Sequence, residues 1–192
     1  LAEALRYLHR PPPDAPVAEL LAGTHPYQQR LAAEELLAHH LGLLLVRQRA
    51  RTHRAPVMHD DGRLGERLLC ALAFTPTAAQ LRVSAEIRHD LASGAPMLRL
   101  VQGDVGSGKT LVAALASLAV IGNGWQVAIM APTELLAEQH YRTFSGWLEP
   151  LGLRTVLLNG RMPAAERRAT LQALALGETA LAIGTHAVFQ EQ

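Results

Sequence analysis

The sequence predicts an α/β fold in which a parallel β-sheet is covered by helices on both faces and follows a helical region. After Phe74, four short apolar runs alternate with three helical stretches, and the first run leads into a glycine-rich loop. Such alternation is typical of parallel strands joined by crossover helices. Ligands of these sheets bind at the carboxyl ends of the strands, so functional residues are expected in the loops that follow the strands.

The apolar runs and the helical stretches have definite limits. The predicted buried strands span 97–101, 126–130, 155–158 and 180–183. The predicted helices between them span 110–121, 134–148 and 163–176. Glycines follow the first and the third of these helices, as they commonly do at helix ends.

Residues 1–70 are predicted to be mainly helical and to precede an α/β domain over 71–192. After a proline-rich break at 11–16, Thr24-His25-Pro26 forms a helix start, and a helical apolar stripe follows it. Residues 55–70 are interpreted as a connector that ends in a short helix. An arginine cluster after the stripe is open to three interpretations, a helix end that favours cations, a phosphate-facing patch or a solvated face: Arg47, Arg49, Arg51 and Arg54.

Composition excludes several classes of protein. The 192 residues are 49% hydrophobic, so a sizeable core can form. Cys70 is the only cysteine and cannot form an internal disulfide, which fits a reducing compartment and predicts a cytoplasmic location. No apolar run approaches the roughly 18 residues needed to cross a bilayer. The chain begins with Leu1, and we expect it to be cut from a longer protein at both ends.

The phosphate-loop pattern G-x-x-x-x-G-K-[ST] is the strongest signal in the sequence. Its glycines let main-chain N–H groups approach phosphate oxygens, and the helix that follows points its positive end at the same anion. Lys109 is the only lysine in the chain, and its compact charge suits the β- and γ-phosphates. The Thr110 hydroxyl suits Mg²⁺. A purely structural glycine-rich turn is the alternative. The predicted nucleotide-binding loop is Gly103-Asp104-Val105-Gly106-Ser107-Gly108-Lys109-Thr110.

A glutamine upstream of this loop is predicted to select adenine. Gln80 can donate to and accept from the adenine edge at once, and Phe74 can pack against the base. Thr77 belongs to the same segment. The alternative is an ordinary helix cap by Thr77.

Three further loops follow the later strands and resemble phosphate cradles. Pro132-Thr133-Glu134 begins a helix whose free N–H groups can hold a DNA phosphate, although a cap that serves only stability is the alternative. Gly160 and Arg161 follow the third strand, and Gly184, Thr185 and His186 follow the fourth. Successive cradles that carry little charge suit a nucleic-acid backbone better than a metabolite.

These motifs together resemble those of the RecG family of bacterial ATP-dependent DNA helicases, in superfamily 2. The resemblance rests on the runs 100–110, 131–140 and 184–190, and it extends to the stretches around 5–9 and 30–37. It implies a RecA-like first motor lobe, and it implies that residues 1–70 are a connector at the end of a DNA-wedge region. It also implies ATP and Mg²⁺ as cofactors, with Lys109 and Thr110 in catalytic roles and Thr110 as a Mg²⁺ ligand.

The resemblance further implies what the protein acts on. Members of this family use ATP hydrolysis to migrate branches at stalled forks and Holliday junctions, in recombination and repair. Branched DNA is therefore the expected partner, single-stranded-DNA-binding protein is a candidate partner, and a monomer without membrane attachment is expected. Thr133, Gly160 and Thr185 would contact the DNA backbone.

One motif of the family is absent from this chain. The family's Asp-Glu-x-His motif does not occur in the 192 residues, so we expect this chain alone to bind nucleotide but not to turn it over.

Two other kinds of protein are alternatives to this family. A transcription-repair coupling factor shares a similar phosphate loop and is the nearest alternative. A small-molecule kinase is an alternative of a different class, although the chain after position 140 has only scattered arginines for an acceptor site.

Overall fold

A computed structural model describes residues 1–51, 53–160 and 162–186. The chain forms two compact units, Leu1–Arg54 and a second unit that begins at Ala55. This boundary between packed units lies earlier than position 70. The functional division into a connector and a motor lobe stays a prediction.

The first unit is entirely helical over its described residues. Helix α1 spans Ala2–His9, α2 spans Val17–Ala22 and α3 spans Pro26–Arg51. Helix α2 ends at Gly23, whose φ of 69° is readily adopted only without a side chain. The predicted start of α3 is confirmed: the Tyr27 N–H donates to Nδ1 of His25 across 3.2 Å, and the His25 ring stacks on Tyr7 at a centroid distance of 4.8 Å. Helices α1 and α3 therefore pack through a small aromatic cluster.

Helix α3 has the predicted stripe of leucines, but most of that stripe faces solvent. Leu36 is 70% exposed and Leu45 is 55% exposed, while Leu31 is half-buried. The helix is thus much longer than the part of it that α1 covers. No helix among the described residues is both long enough and apolar enough to span a membrane.

The second unit contains the predicted alternation of strands and helices. Helices α4 and α5 come first, at Arg63–Ala71 and Ala78–Leu91. The remaining elements follow in chain order: α6 Lys109–Ile121, β1 Val127–Met130, α7 Glu134–Leu148, a 3₁₀ turn at Glu149–Leu151, β2 Thr155–Leu158, α8 Ala164–Ala175 and β3 Leu181–Gly184. Three predicted strands and three predicted helices are confirmed to within a residue or two.

The sheet is parallel and its strand order is β1-β3-β2. Leu181 pairs with Val127 on one side and with Thr155 on the other. One face of the sheet packs against α4, α6 and α7 through a core that includes Phe144, Leu148 and Ile183. On the other face Val156, Leu158 and Ala182 contact Leu174 of α8. The predicted parallel sheet with helices on both faces is confirmed.

The prediction of a buried strand over 97–101 is wrong. This segment has no strand assignment, and Leu98 is 66% and Leu100 is 87% exposed. A strand needs a neighbour for its N–H and C=O groups, and within the described part of the chain β1 pairs only with β3. Arg99 instead joins the segment to α5 through bonds of 2.7 Å to Asp90 and to Glu86. The hydrogen bond to Asp90 raises the pKa of Arg99 above its ordinary value.

Candidate nucleotide-binding and DNA-contact site

The phosphate loop adopts backbone angles that its glycines permit. Gly106 has a φ of 82° and Gly108 a φ of 77°, both in the left-handed region that other residues rarely enter. Gly108 is the residue that precedes α6, and its carbonyl accepts from the Leu111 N–H across 3.0 Å. A turn in which Ser107 N–H donates to the Asp104 carbonyl at 3.1 Å closes the loop. The N-terminal end of α6 therefore opens onto this loop.

Lys109, the first residue of α6, folds its side chain back over the loop. Its ammonium donates to the main-chain carbonyls of Gly103 and Asp104, each at 2.7 Å, and lies 3.5 Å from Oγ of Ser107. A Cβ on Gly103 would lie 2.7 Å from the Ser107 Oγ, so the Ser107 side chain would have to move. The cation is thus held at the centre of the predicted phosphate site by neutral acceptors rather than by a carboxylate.

Gln80 contacts the phosphate loop directly. Its Nε2 donates to the Ser107 carbonyl across 2.9 Å, while its Oε1 accepts from the Thr77 N–H across 2.8 Å. The Gln80 N–H in turn donates to Oγ1 of Thr77 at 3.2 Å, which completes a capping box at the start of α5. A Cβ on Gly108 would overlap the Gln80 amide. The Thr77 cap that the sequence left as an alternative is present, and the Gln80 side chain both completes the box and reaches the loop.

The other predicted nucleotide-binding residues surround this contact. Phe74 is 51% exposed and Val105 is fully exposed, so both offer apolar surface to solvent. Thr110 is half-buried in the first turn of α6, and its hydroxyl makes no hydrogen bond among the described residues. Its neutral oxygen beside the loop is the type of donor that Mg²⁺ accepts. The residues present therefore fit a magnesium-bound triphosphate.

The three strand-end loops meet at one end of the sheet, where the three strands have their carboxyl ends. The register pairs Gly184 with Met130 of β1 and with Leu158 of β2, so all three strands end at the same level. The Ala131 N–H donates to the Gly184 carbonyl across 2.8 Å and joins the first of these loops to the third. The sheet thus brings together the loops that were predicted separately.

Thr133 and Glu134 begin α7 at this end of the sheet. Oγ1 of Thr133 accepts from the Leu136 N–H at 3.3 Å, so this hydroxyl caps the helix. A Cβ on Gly160 would lie 3.3 Å from Oε1 of Glu134, which places the second loop beside the first. Pro132 is exposed next to them.

The third loop is described only at its beginning. Thr185 is half-buried and His186 is exposed, while Arg161 lies outside the described residues. Sequence reasoning missed the bonds from Lys109 to Gly103 and Asp104 and the bond from Gln80 to Ser107. The acceptors are main-chain carbonyls, which leave no residue-specific signal in a sequence.

Comparison with known proteins gives consistent results. A family model described as DEAD/DEAH box helicase matches residues 77–191. The chain is similar to the ATP-dependent DNA helicase RecG of Escherichia coli K12, 54% identical over 100% of this chain and 28% of the relative. It is 40% identical to the RecG helicase of Aquifex aeolicus VF5, over 100% of this chain and 24% of the relative. The chain therefore spans about a quarter of the length of these curated relatives.

A solved structure is also similar. It is described as RecG bound to a three-way DNA junction, and it superposes with a TM-score of 0.78 and 40% identity over 85% of this chain and 22% of that chain. An identity this high supports more than a shared fold. The chain belongs to the DEAD/DEAH box helicase family and, within that family, is a RecG-type sequence.

Proposed function

We propose that this chain is the nucleotide-binding part of an ATP-dependent DNA helicase that acts on branched DNA. The observation that carries the proposal is the placement of Lys109, whose ammonium lies over a glycine loop at the N-terminus of α6. Helix N-termini with free N–H groups and a nearby lysine bind phosphates. The RecG relatives, including the one bound to a three-way junction, support the choice of DNA as the partner.

The nucleotide part of the proposal assigns a role to each side. Lys109 exchanges its main-chain acceptors for the β- and γ-phosphates, Thr110 helps to hold Mg²⁺, and Gln80 turns its amide toward adenine. The ATP-driven activity of the relatives supports the nucleotide. The hydroxyl of Thr110 beside the loop supports the metal.

The DNA part of the proposal rests on the end of the sheet where β1, β3 and β2 have their carboxyl ends. Loops that begin at Ala131, Asn159 and Thr185 lie side by side there, and Ala131 and Gly184 are joined by a hydrogen bond. A row of loops rich in N–H groups matches successive phosphates of one strand, because such contacts position a backbone without reading its sequence.

The alternatives receive less support. RecG helicases of Escherichia coli and Aquifex aeolicus match along the whole chain, which favours RecG over the transcription-repair coupling factor. A helicase family model over 77–191 disfavours a small-molecule kinase. Within the full-length protein we further propose a cytoplasmic monomer that single-stranded-DNA-binding protein recruits.

The experiment that tests this function measures two affinities of one protein. Binding of ATP with Mg²⁺ is followed by isothermal titration calorimetry, and binding of a three-way DNA junction by fluorescence anisotropy. Lys109→Ala should weaken ATP binding roughly 10- to 100-fold, because a hydrogen bond to a charged group contributes about 1.5–3 kcal/mol. Arg168→Ala, which removes an exposed cation from α8, is the matched control and should change neither affinity.

DNA-stimulated ATP hydrolysis of the full-length protein completes the test. We expect the three-way junction to stimulate hydrolysis more than a linear duplex of the same length, and Lys109→Ala to abolish the stimulated rate. Equal hydrolysis with and without DNA, or a small phosphate acceptor that stimulates it instead, would overturn the proposal in favour of a kinase.

A further inference from the structure

A groove runs along the open edge of the sheet and reaches the loop that begins at Asn159, while no residue of the phosphate loop lines it. Strand β2 is the last strand in the order β1-β3-β2, so one of its edges has no strand neighbour among the described residues. A groove of about 700 Å³ follows this edge. It is lined on one side by Tyr141 and Glu149 and on the other by Glu166 and Thr170 of α8.

The backbone of β2 presents unpaired hydrogen-bonding groups to this groove. The Ala180 and Leu181 N–H groups donate to the Arg154 carbonyl at 2.9 and 3.3 Å, so Arg154 points toward β3. Successive residues of a strand point their N–H and C=O groups to alternate sides. Thr155 and Leu157 therefore turn theirs away from β3, and both residues line the groove.

The wall of the groove contains a polar atom that the fold leaves without a partner. Thr155 is only 5% exposed, yet its Oγ1 makes no hydrogen bond within the described residues. A buried hydroxyl without a partner costs free energy, so a ligand that bonds to it would be stabilised. The edge is thus incomplete at both its main chain and its side chain.

The charges at the groove define the ligand. Glu149 and Glu166 are exposed on opposite walls, and neither has an ion-pair partner among the described residues. Among the described residues that line the groove, Arg154 is the cation, and its guanidinium lies 3.8 Å from Glu178. Unpaired acids on both sides of an open edge favour an extended chain with cationic side chains on both of its faces.

We propose that the open edge of β2 binds an extended basic peptide segment of a partner protein, which adds a strand to the sheet. Thr155 and Leu157 each supply one N–H and one C=O to the added strand, and Glu149 and Glu166 pair with its lysines or arginines. So short an edge gives a modest affinity, which suits a transient partner. The site is separate from the phosphate loop and leaves it accessible.

The test uses a labelled hexapeptide, acetyl-Lys-Val-Lys-Lys-Val-Lys-amide, and follows its binding by fluorescence anisotropy and by amide chemical shifts. We expect the largest shifts at Thr155, Leu157 and the first turns of α8. The same peptide N-methylated at every residue has no N–H for a ladder on either of its edges and should not bind, and a version with Glu in place of Lys should bind much less tightly. These two peptides test the proposal on the unchanged protein.

Variants of the protein assign the contacts. Glu149→Gln and Glu166→Gln should each weaken binding about two- to fivefold, as loss of an exposed ion pair does, while Glu35→Gln on α3 serves as the matched control. Leu157→Pro removes one outward N–H and no bond of the ladder between β2 and β3, and edge strands accept proline at such a position. Loss of this N–H should lower the affinity for the peptide further. Circular dichroism checks that this variant folds.

Several outcomes would overturn the proposal. Equal binding of the N-methylated peptide would mean that no strand is added, and equal binding of the acidic peptide would mean that the glutamates play no part. Shifts confined to the phosphate loop or to the loop after Met130 would place the peptide in the nucleotide or DNA site. Concentration-dependent dimerisation that Leu157→Pro abolishes would show that the edge pairs with a second copy instead.

Discussion

The side-chain amide nitrogen of Gln80 donates to the main-chain carbonyl of Ser107 across 2.9 Å and so ties the first turn of α5 to the phosphate loop. The oxygen of the same amide accepts from the Thr77 N–H. Each end of the amide therefore makes one bond, and its second N–H and the second lone pair of its oxygen are left for a purine edge. Adenine recognition and the conformation of the loop are linked through this residue.

The first prediction separates the two bonds of Gln80. Gln80→Glu keeps an oxygen for the Thr77 N–H but loses the donor to Ser107, so amide hydrogen exchange at 106–108 should become faster while the start of α5 stays protected. In Thr77→Ala, exchange should become faster at the start of α5 and stay unchanged at 106–108. This variant should also lower the free energy of unfolding by about 1 kcal/mol. Unchanged exchange in the loop of Gln80→Glu would mean that the bond does not hold the loop.

The same substitution tests nucleotide selection. A carboxylate accepts from adenine but cannot donate to it, so the ratio of ATP to GTP affinity should fall by roughly three- to tenfold, the effect of about one hydrogen bond. Competition titrations with the two nucleotides measure this ratio. A ratio that does not change would leave Gln80 with a purely structural role at the start of α5.

Gly108 gives a second prediction because it can be matched to another glycine. Gly108 and Gly124 have φ values of 77° and 80°, but a Cβ would overlap the Gln80 amide at Gly108 and meet nothing within 4 Å at Gly124. Both alanine variants should lose about 1–2 kcal/mol through backbone strain. Gly108→Ala should lose about 1 kcal/mol more, since it also breaks the Gln80 bond.

Urea denaturation of both variants measures this difference, and a Gln80→Ala background provides the control. Removing the amide should make the two glycine substitutions equally costly. If Gly108→Ala and Gly124→Ala already cost the same in the natural sequence, the contact between Gly108 and Gln80 contributes nothing.

These contacts also show what the sequence could and could not predict. The limits of β2 were predicted correctly from its apolar run, and in the structure this run is buried against α7 and α8. The run 97–101 is also mainly apolar but has no strand partner among the described residues, since pairing depends on which segment lies alongside and not on the run itself. Hydrogen bonds to main-chain carbonyls, such as that of Ser107, depend only on distance in the folded chain and were missed.

Thr133 offers a prediction that separates capping from DNA contact. Its hydroxyl caps α7, and aspartate caps helices as well as threonine does. Thr133→Asp should therefore keep the free energy of unfolding within about 0.5 kcal/mol of the natural protein. Its added negative charge should nevertheless weaken binding of the three-way junction about tenfold, because it would face a DNA phosphate.

The control for Thr133→Asp adds a charge elsewhere on the same helix. Gln139→Glu changes an exposed position of α7 and should leave the junction affinity nearly unaltered. Anisotropy titrations at two salt concentrations measure both variants. Junction binding by Thr133→Asp that equals that of Gln139→Glu would leave Thr133 as a helix cap alone.

The last prediction concerns pH and the packing of α1 on α3. The Tyr27 hydroxyl donates to Oε1 of Glu3 across 2.7 Å, and this hydrogen bond raises the pKa of Tyr27 above its ordinary value of 10.0. The folded chain thus holds the phenolic proton more tightly than the unfolded chain does. The stabilisation of the folded chain by this hydrogen bond is complete below pH 10 and is lost as the pH rises through the raised pKa.

The difference in unfolding free energy between the natural protein and Tyr27→Phe should therefore be constant from pH 7 to about 9 and shrink above about 10. Ultraviolet titration of the tyrosines in Glu3→Ala should show one midpoint moved down, and a midpoint that stays in place would mean that Glu3 is not the cause.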